Sequence, residues 1–217
     1  RLLAPEAEED AGQADAAIDA LQRFKKEFPD GWQIGAAGLL LAHLQLAKGD
    51  TDGAERTYSE IRAIAGIPGV VKQECDLGSA EALILGKKYS EAEARLGKLT
   101  AGAAPGSTEA LSGRIYLALC RGLSGKTAEG VKQLEDIIAQ TTDKSMKAVA
   151  YNALGDCYRL SGQAKEAQWP YLWVDIIYHQ DRREHMKAME QLAKIFDDQG
   201  DKTRAKIYRD RLKRESK

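Results

Sequence analysis

The sequence is poor in cysteine, proline and histidine and has no long apolar run, and each shortage removes a class of protein. Cys75, Cys120 and Cys157 are its three cysteines. They lack close spacing, and Cys120 and Cys157 hold equivalent places in successive repeats, whose helices stand beyond the roughly 7 Å Cα reach of a disulfide. Thiols are therefore expected, which leans toward a reducing compartment without excluding the periplasm. Five prolines in 217 residues, and few β-branched runs, leave strands almost nowhere to form. No segment approaches the roughly 18 apolar residues of a membrane span. Lys plus Arg number 32 against 33 Asp plus Glu, so bulk charge draws neither nucleic acid nor anionic membrane. His179 and His185 are six apart, roughly 600° around a helix, and His43 is alone, so no metal site is expected. No nucleophile, base and orienting acid can be assembled; the chain reads as no enzyme, with no cofactor.

What the chain does have is a period. A glycine followed by a small residue returns about every 37 or 38 positions: Gly12 with Ala17, Gly49 with Ala54, Gly86 with Ala92, Gly125 with Gly130, Gly162 with Ala167 and Gly200 with Ala205. Such a period means stacked units that each fail to bury their own apolar face and so share one continuous core. Before each turn stand Leu41-Ala42, Ser79-Ala80, Leu117-Ala118, Leu154-Gly155 and Leu192-Ala193. A small residue at a fixed helical place lets a neighbouring backbone approach closely. After each small residue come bulky positions four and seven further on, such as Tyr58 and Ile61, Leu134 and Ile137, or Tyr171 and Val174. That spacing puts them on one helix face. Each unit is thus two antiparallel helices joined by a polar glycine turn.

The stretch Tyr151-Asn152-Ala153-Leu154-Gly155-Asp156-Cys157-Tyr158, followed by Gly162, Ala167, Tyr171 and Val174, resembles the tetratricopeptide repeat motif. The other units match more loosely, with Ala for the first-helix glycine and Gly130 for the second-helix alanine. The resemblance runs from about Gly12 to Leu212 and implies an all-α, tetratricopeptide-like α-solenoid of about five and a half repeats in a right-handed superhelix. The expected organisation is one helical-repeat domain over 1–217, with 1–11 a linker or truncated start and units at 12–31, 32–68, 69–106, 107–144, 145–182 and 183–217. The period exceeds the family's 34 residues, and the excess is placed between units, at Ala65–Gly69 and Thr100–Ser107. The first helix, about Gln13 to Phe28, reads as the second half of a repeat whose first half is missing.

The family's geometry further implies a concave groove lined by Leu39, His43 and Leu46; Leu77, Glu81 and Ile84; Ile115, Leu119 and Gly122; Asn152, Asp156 and Arg159; and Glu190, Lys194 and Asp197. Its first three units would be apolar and its last two polar, suiting an amphipathic helix or extended peptide. Alternatively, superhelical packing or an upstream segment covers these residues. Glu81 and Asp156 stand where some relatives grip a C-terminal carboxylate with basic side chains, and would repel one.

Trp169 and Trp173 sit four apart near Pro170, which should kink the helix or delay its start. They either anchor a partner, as interface tryptophans do, or pack on Met186, Met189 and Ile195, the preferred reading. The chain's ends differ in charge. Glu6, Glu8, Glu9, Asp10, Asp15 and Asp19 face one Arg at the start, while Arg204, Arg209, Arg211, Lys213 and Arg214 crowd the other end. The signs suit solvated caps and the helix macrodipole, or a weak homo-oligomer joined acidic end to basic end.

Function is then a non-catalytic scaffold binding a peptide, helix or protein in the groove. The alternative is the soluble repeat region of a larger bacterial envelope or membrane-anchored protein that assembles a complex; Phe28-Pro29-Asp30 resembles repeats of such proteins. A small-ligand binder or enzyme built around Asn152, Asp156, Arg159 and Glu190 is the third reading. The compartment, cytoplasm or bacterial envelope, stays open.

Overall fold

The computed structural model describes residues 5–29, 31 and 33–215, with backbone alone over 5–11. Asp30 and the side chains of Glu6, Glu8, Glu9 and Asp10 lie outside the described residues. Among those residues there are helices and no strands: α1 (Pro5–Glu27), α2 (Ile34–Ala47), α3 (Thr51–Ala63), α4 (Gly69–Leu85), α5 (Tyr89–Gly102), α6 (Thr108–Leu123), α7 (Thr127–Gln140), α8 (Lys144–Leu160), α9 (Ala164–Ile176), α10 (Arg182–Asp198) and α11 (Lys202–Glu215). The chain divides into two compact units, Arg1–Leu99 and Thr100–Lys217.

From α2 onward the helices run in pairs closed by tight turns. Each turn returns a backbone N–H to a carbonyl five residues back, as in Asp50 to Gln45 at 2.9 Å, Gln163 to Tyr158 at 2.8 Å and Asp201 to Phe196 at 2.8 Å. That closure needs one residue in the left-handed region, which glycine enters without a Cβ penalty. Gly49, Gly125, Gly162 and Gly200 supply it. Between α4 and α5 the task falls to Lys87, at φ 60°, while the adjacent Gly86 keeps a negative φ. The following helices start on side-chain caps where an acid or hydroxyl is available: Asp50 accepts from the Gly53 N–H, Ser107 from Ala110, Asp143 from Met146 and Asp181 from Glu184.

The start of the chain departs from the expected turn. α1 passes through Gly12 without reversal. Its neighbours Ala11, Gln13 and Ala14 are good helix formers, and no atom outside the local backbone lies within 4 Å of a Cβ built on Gly12. No packed neighbour there rewards a turn, so propensity carries the helix onward.

In the first unit α2 packs on α1 and α3, and α3 on α4. The core holds Ala42, Ala54, Tyr58, Ile61, Cys75 and Ala82, with Leu39, Leu46, Ile67 and Val71 against it. In the second unit α6 packs on α7 and α8, and α8 on α9 and α10, with α11 closing on α10. One core cluster there joins Tyr171, Val174, Leu192, Ile195 and Phe196. The small positions before the turns, Ala42, Ala80, Ala118, Gly155 and Ala193, are all buried, as helix contact requires. Gly130 explains its own departure from alanine: a Cβ there would meet the Ala118 carbonyl oxygen and the Gly122 Cα at 2.6 Å, so α6 and α7 touch backbone to backbone.

Candidate functional site

The expected groove residues divide into three groups. Ile84, Ile115 and Leu119 are buried among the chain's own side chains, and so is Gly122. An apolar groove across three units is thereby corrected: these residues fill the core, because their helices approach closely enough at small residues to enclose them. Leu39, His43 and Leu46 on α2, with Leu77 and Glu81 on α4, keep partial exposure. There His43 stands 3.9 Å from Glu74 of α4 and meets the Tyr58 ring edge-on at 6.0 Å.

The third group forms a polar seam between α8 and α10. The Asn152 amide donates to the Glu184 carbonyl at 2.9 Å and to its carboxylate at 2.8 Å. Asp156 accepts from the Tyr171 hydroxyl at 2.7 Å, lies 3.2 Å from Lys187 and 3.9 Å from Arg159. Burial and the Asp156 charge push the Tyr171 phenol well above its ordinary range. Asn152 and Asp156 are buried, whereas Arg159 keeps partial exposure. Asn152 Oδ1, Arg159 Nε and Gln191 Oε1 are buried without a hydrogen-bond partner. Glu190 and Lys194 point to solvent, and Asp197 is held by Lys202 and Arg209. The seam joins α8 to α10 through hydrogen bonds and charge pairs, with those three atoms left over.

A second buried polar cluster escaped sequence reasoning. Asp175 of α9 accepts from Arg211 at 3.0 and 2.6 Å, from Tyr208 at 3.0 Å and pairs with His185 Nε2 at 2.9 Å. His185 Nδ1 lies 3.3 Å from Glu215. Burial opposes the Asp175 charge, yet hydrogen bonds from Arg211, His185 and Tyr208 hold its carboxyl below the ordinary range. The same burial and the Asp175 charge push Tyr208 up to about 12. The cluster ties α11 to α9 and α10. Three of the five terminal cations are spent on carboxylates of this chain: Arg211 on Asp175, Arg209 on Asp197 and Arg204 on Asp201.

Among the described residues, four exposed large apolar side chains gather on the outer face of α9 and at its end. Trp169 is 69% exposed, Ile176 61%, Trp173 45% and Ile177 43%. Spacings of four and three place them in one stripe. Trp173 stacks on Tyr151 of α8 at 5.9 Å, and Tyr151 on Tyr178 at 5.4 Å, while Met189 is enclosed in the core. The preferred packing of the tryptophans on α10 is therefore corrected. α9 turns Tyr171 and Val174 inward, and Trp169 and Ile176, two or five places from each, fall on the opposite side of the helix. Nor does Pro170 delay the helix, which begins at Ala164 and runs through it. The cysteines are buried and form no disulfide with one another, and burial raises the thiols of Cys75 and Cys157 to about 11.

A family profile described as a tetratricopeptide repeat matches residues 4–31. No curated protein matches the chain. Among solved structures, a tetratricopeptide repeat protein from Parabacteroides merdae is similar at TM-score 0.51 and 16% identity, covering 96% of this chain and 89% of its own. BtubC from P. vanneervenii is similar at TM-score 0.48 and 18% identity over 96% and 90% of the two chains. A putative kinesin light chain repeat protein from Podospora anserina gives TM-score 0.45 at 18% identity, over 83% and 93%.

Proposed function

We propose that this chain, a tetratricopeptide-repeat protein, is a non-catalytic scaffold that holds a protein partner, and that the partner's apolar side lies along the outer face of α9. The observation that carries this reading is the solvent-facing stripe of Trp169, Trp173, Ile176 and Ile177. A contiguous apolar stripe of this kind on a protein surface marks an interaction site more often than an accident, and tryptophan is the residue most enriched where interface energy concentrates. Tyr151 and Tyr178 back the stripe and fix Trp173 in place, so little side-chain entropy is lost on contact. The half-exposed Leu39, His43, Leu46, Leu77 and Glu81 are the competing surface in the first unit.

Affinity capture with three proteins tests this. Trp169→Glu with Ile176→Glu should lose the partner, with a cost of about 2 kcal/mol or more in binding. Leu39→Asp with Leu77→Asp should retain it. A partner lost only from the second variant moves the site to α2 and α4, and one retained by both removes the reading. Circular dichroism on each variant excludes unfolding as the cause.

A further inference from the structure

The pair α6–α7 and the pair α8–α9 are offset by 37 residues throughout, from Leu117 and Leu154 to Ile137 and Val174. That register lets one repeat be laid over the next. In α8–α9, the Tyr151 ring is sandwiched by Trp173 and Tyr178, with Lys147 5.9 Å above the Tyr178 ring. The same positions in α6–α7 are Arg114, Asp136, Thr141 and Ala110. Three rings are replaced by one guanidinium and two short polar side chains, and the volume they would occupy is open.

The opening consists of two adjoining hollows of about 540 and 350 Å³ that share Arg114, Ile137 and Gln140. The larger is walled by apolar groups, among them Pro105, Ala110 and Leu111, with Thr141 at its edge. No carboxylate lines it among the described residues. Arg114 is exposed and has no ion pair among the described residues, and although Asp136 lines the smaller hollow the two do not meet. Arg121, further along, is held by Gln133 at 3.1 Å.

We infer that this cleft receives an aromatic side chain flanked by an acidic one, carried on an extended segment of a protein partner. The aromatic ring takes the place that Tyr178 fills in the next repeat, and Arg114 pairs with the carboxylate while its guanidinium plane lies over the ring. An unpaired arginine beside an apolar hollow favours this combination over a purely apolar ligand, since a charge-assisted pair is stronger than a neutral one. An open trough, exposed at Pro105, Arg114 and Gln140, suits a chain that continues at both ends. The cleft is separate from the α9 face, and either surface can fail without the other.

Titration of the ¹⁵N-labelled chain with acetyl-Glu-Trp-Glu-amide, followed by NMR, tests it. Saturable shifts are expected in amides of residues 100–141. Arg114→Gln, an exposed substitution, should weaken binding about tenfold, and acetyl-Gln-Trp-Gln-amide should bind the wild type about tenfold more weakly. Asp136→Trp with Thr141→Tyr rebuilds the aromatic filling and should abolish the shifts in a protein that melts no earlier than wild type. Should that variant misfold, Arg114→Gln decides alone. Absent shifts in this segment, or affinity unchanged by Arg114→Gln, would overturn the inference. Free indole-3-acetate binding as tightly as the peptide would also overturn it, by assigning the cleft to a small aromatic acid.

Discussion

Gly130 and Gly97 stand in neighbouring repeats, both inside helices, and chemistry separates them. At Gly130 an added methyl would meet backbone atoms of Ala118 and Gly122 at 2.6 Å, and these cannot rotate away. Gly130→Ala should therefore destabilise by about 1–3 kcal/mol in spite of alanine's better helix propensity. Gly97 in α5 is exposed, with nothing within 4 Å of the added carbon, and Gly97→Ala should stabilise by up to about 1 kcal/mol. Urea unfolding of both variants measures the contrast, and equal signs would refute the packing account. The sequence marks Gly130 only as a departure from the family's alanine. Its cause, the backbone of Ala118 and Gly122 across the pair, depends on how closely two helices approach, a distance that no local pattern encodes. The small residues before the turns were legible for the opposite reason: they recur in every pair, and recurrence at a fixed helical place is itself the packing signal.

At the scale of the element, α11 shows what a linear reading loses. Its apolar content is slight, and among its buried residues is Ala205. What fastens it is Asp175, reached by Tyr208 and Arg211 from more than thirty positions away. Spacing arguments are confined to a single helix, so they placed His185 on no useful face and missed its carboxylate on α9. Asp175 is held below the ordinary carboxylate range. It therefore stabilises the folded state above about pH 4, the unfolded carboxylate value, and that contribution is lost as pH falls through the lower folded value. Acid titration followed by circular dichroism should show stability dropping below pH 4, with a flatter acid limb in Asp175→Asn. That variant should also cost about 3 kcal/mol at neutral pH, because Arg211 and His185 lose their shared acceptor. An unaltered acid limb would assign the pH dependence to other carboxylates. The stripe on α9 was half legible: the four-residue spacing of Trp169 and Trp173 predicts a shared face, but which neighbour covers that face is a tertiary fact.

For the molecule as a whole, helical pairs and glycine turns follow from the period, and the long α1 does not, because Gly12, which the period marks, lies within that helix and closes no turn. The apolar groove was overread for a related reason. Periodicity assigns Ile84, Ile115 and Leu119 to a face without saying how far the next pair closes over it. Among the five closures, α4–α5 is the one made by a residue bearing a side chain. Holding Lys87 in the left-handed region costs about 1–2 kcal/mol, a strain the other corners lack. In a stack whose members lean only on their neighbours, such a corner sets the threshold for local opening. Lys87→Gly should raise that threshold, seen as slower amide exchange and slower proteolytic nicking between Ile84 and Tyr89. The hairpin's hinge is a built-in weak seam, and its tension can be released by removing a single side chain.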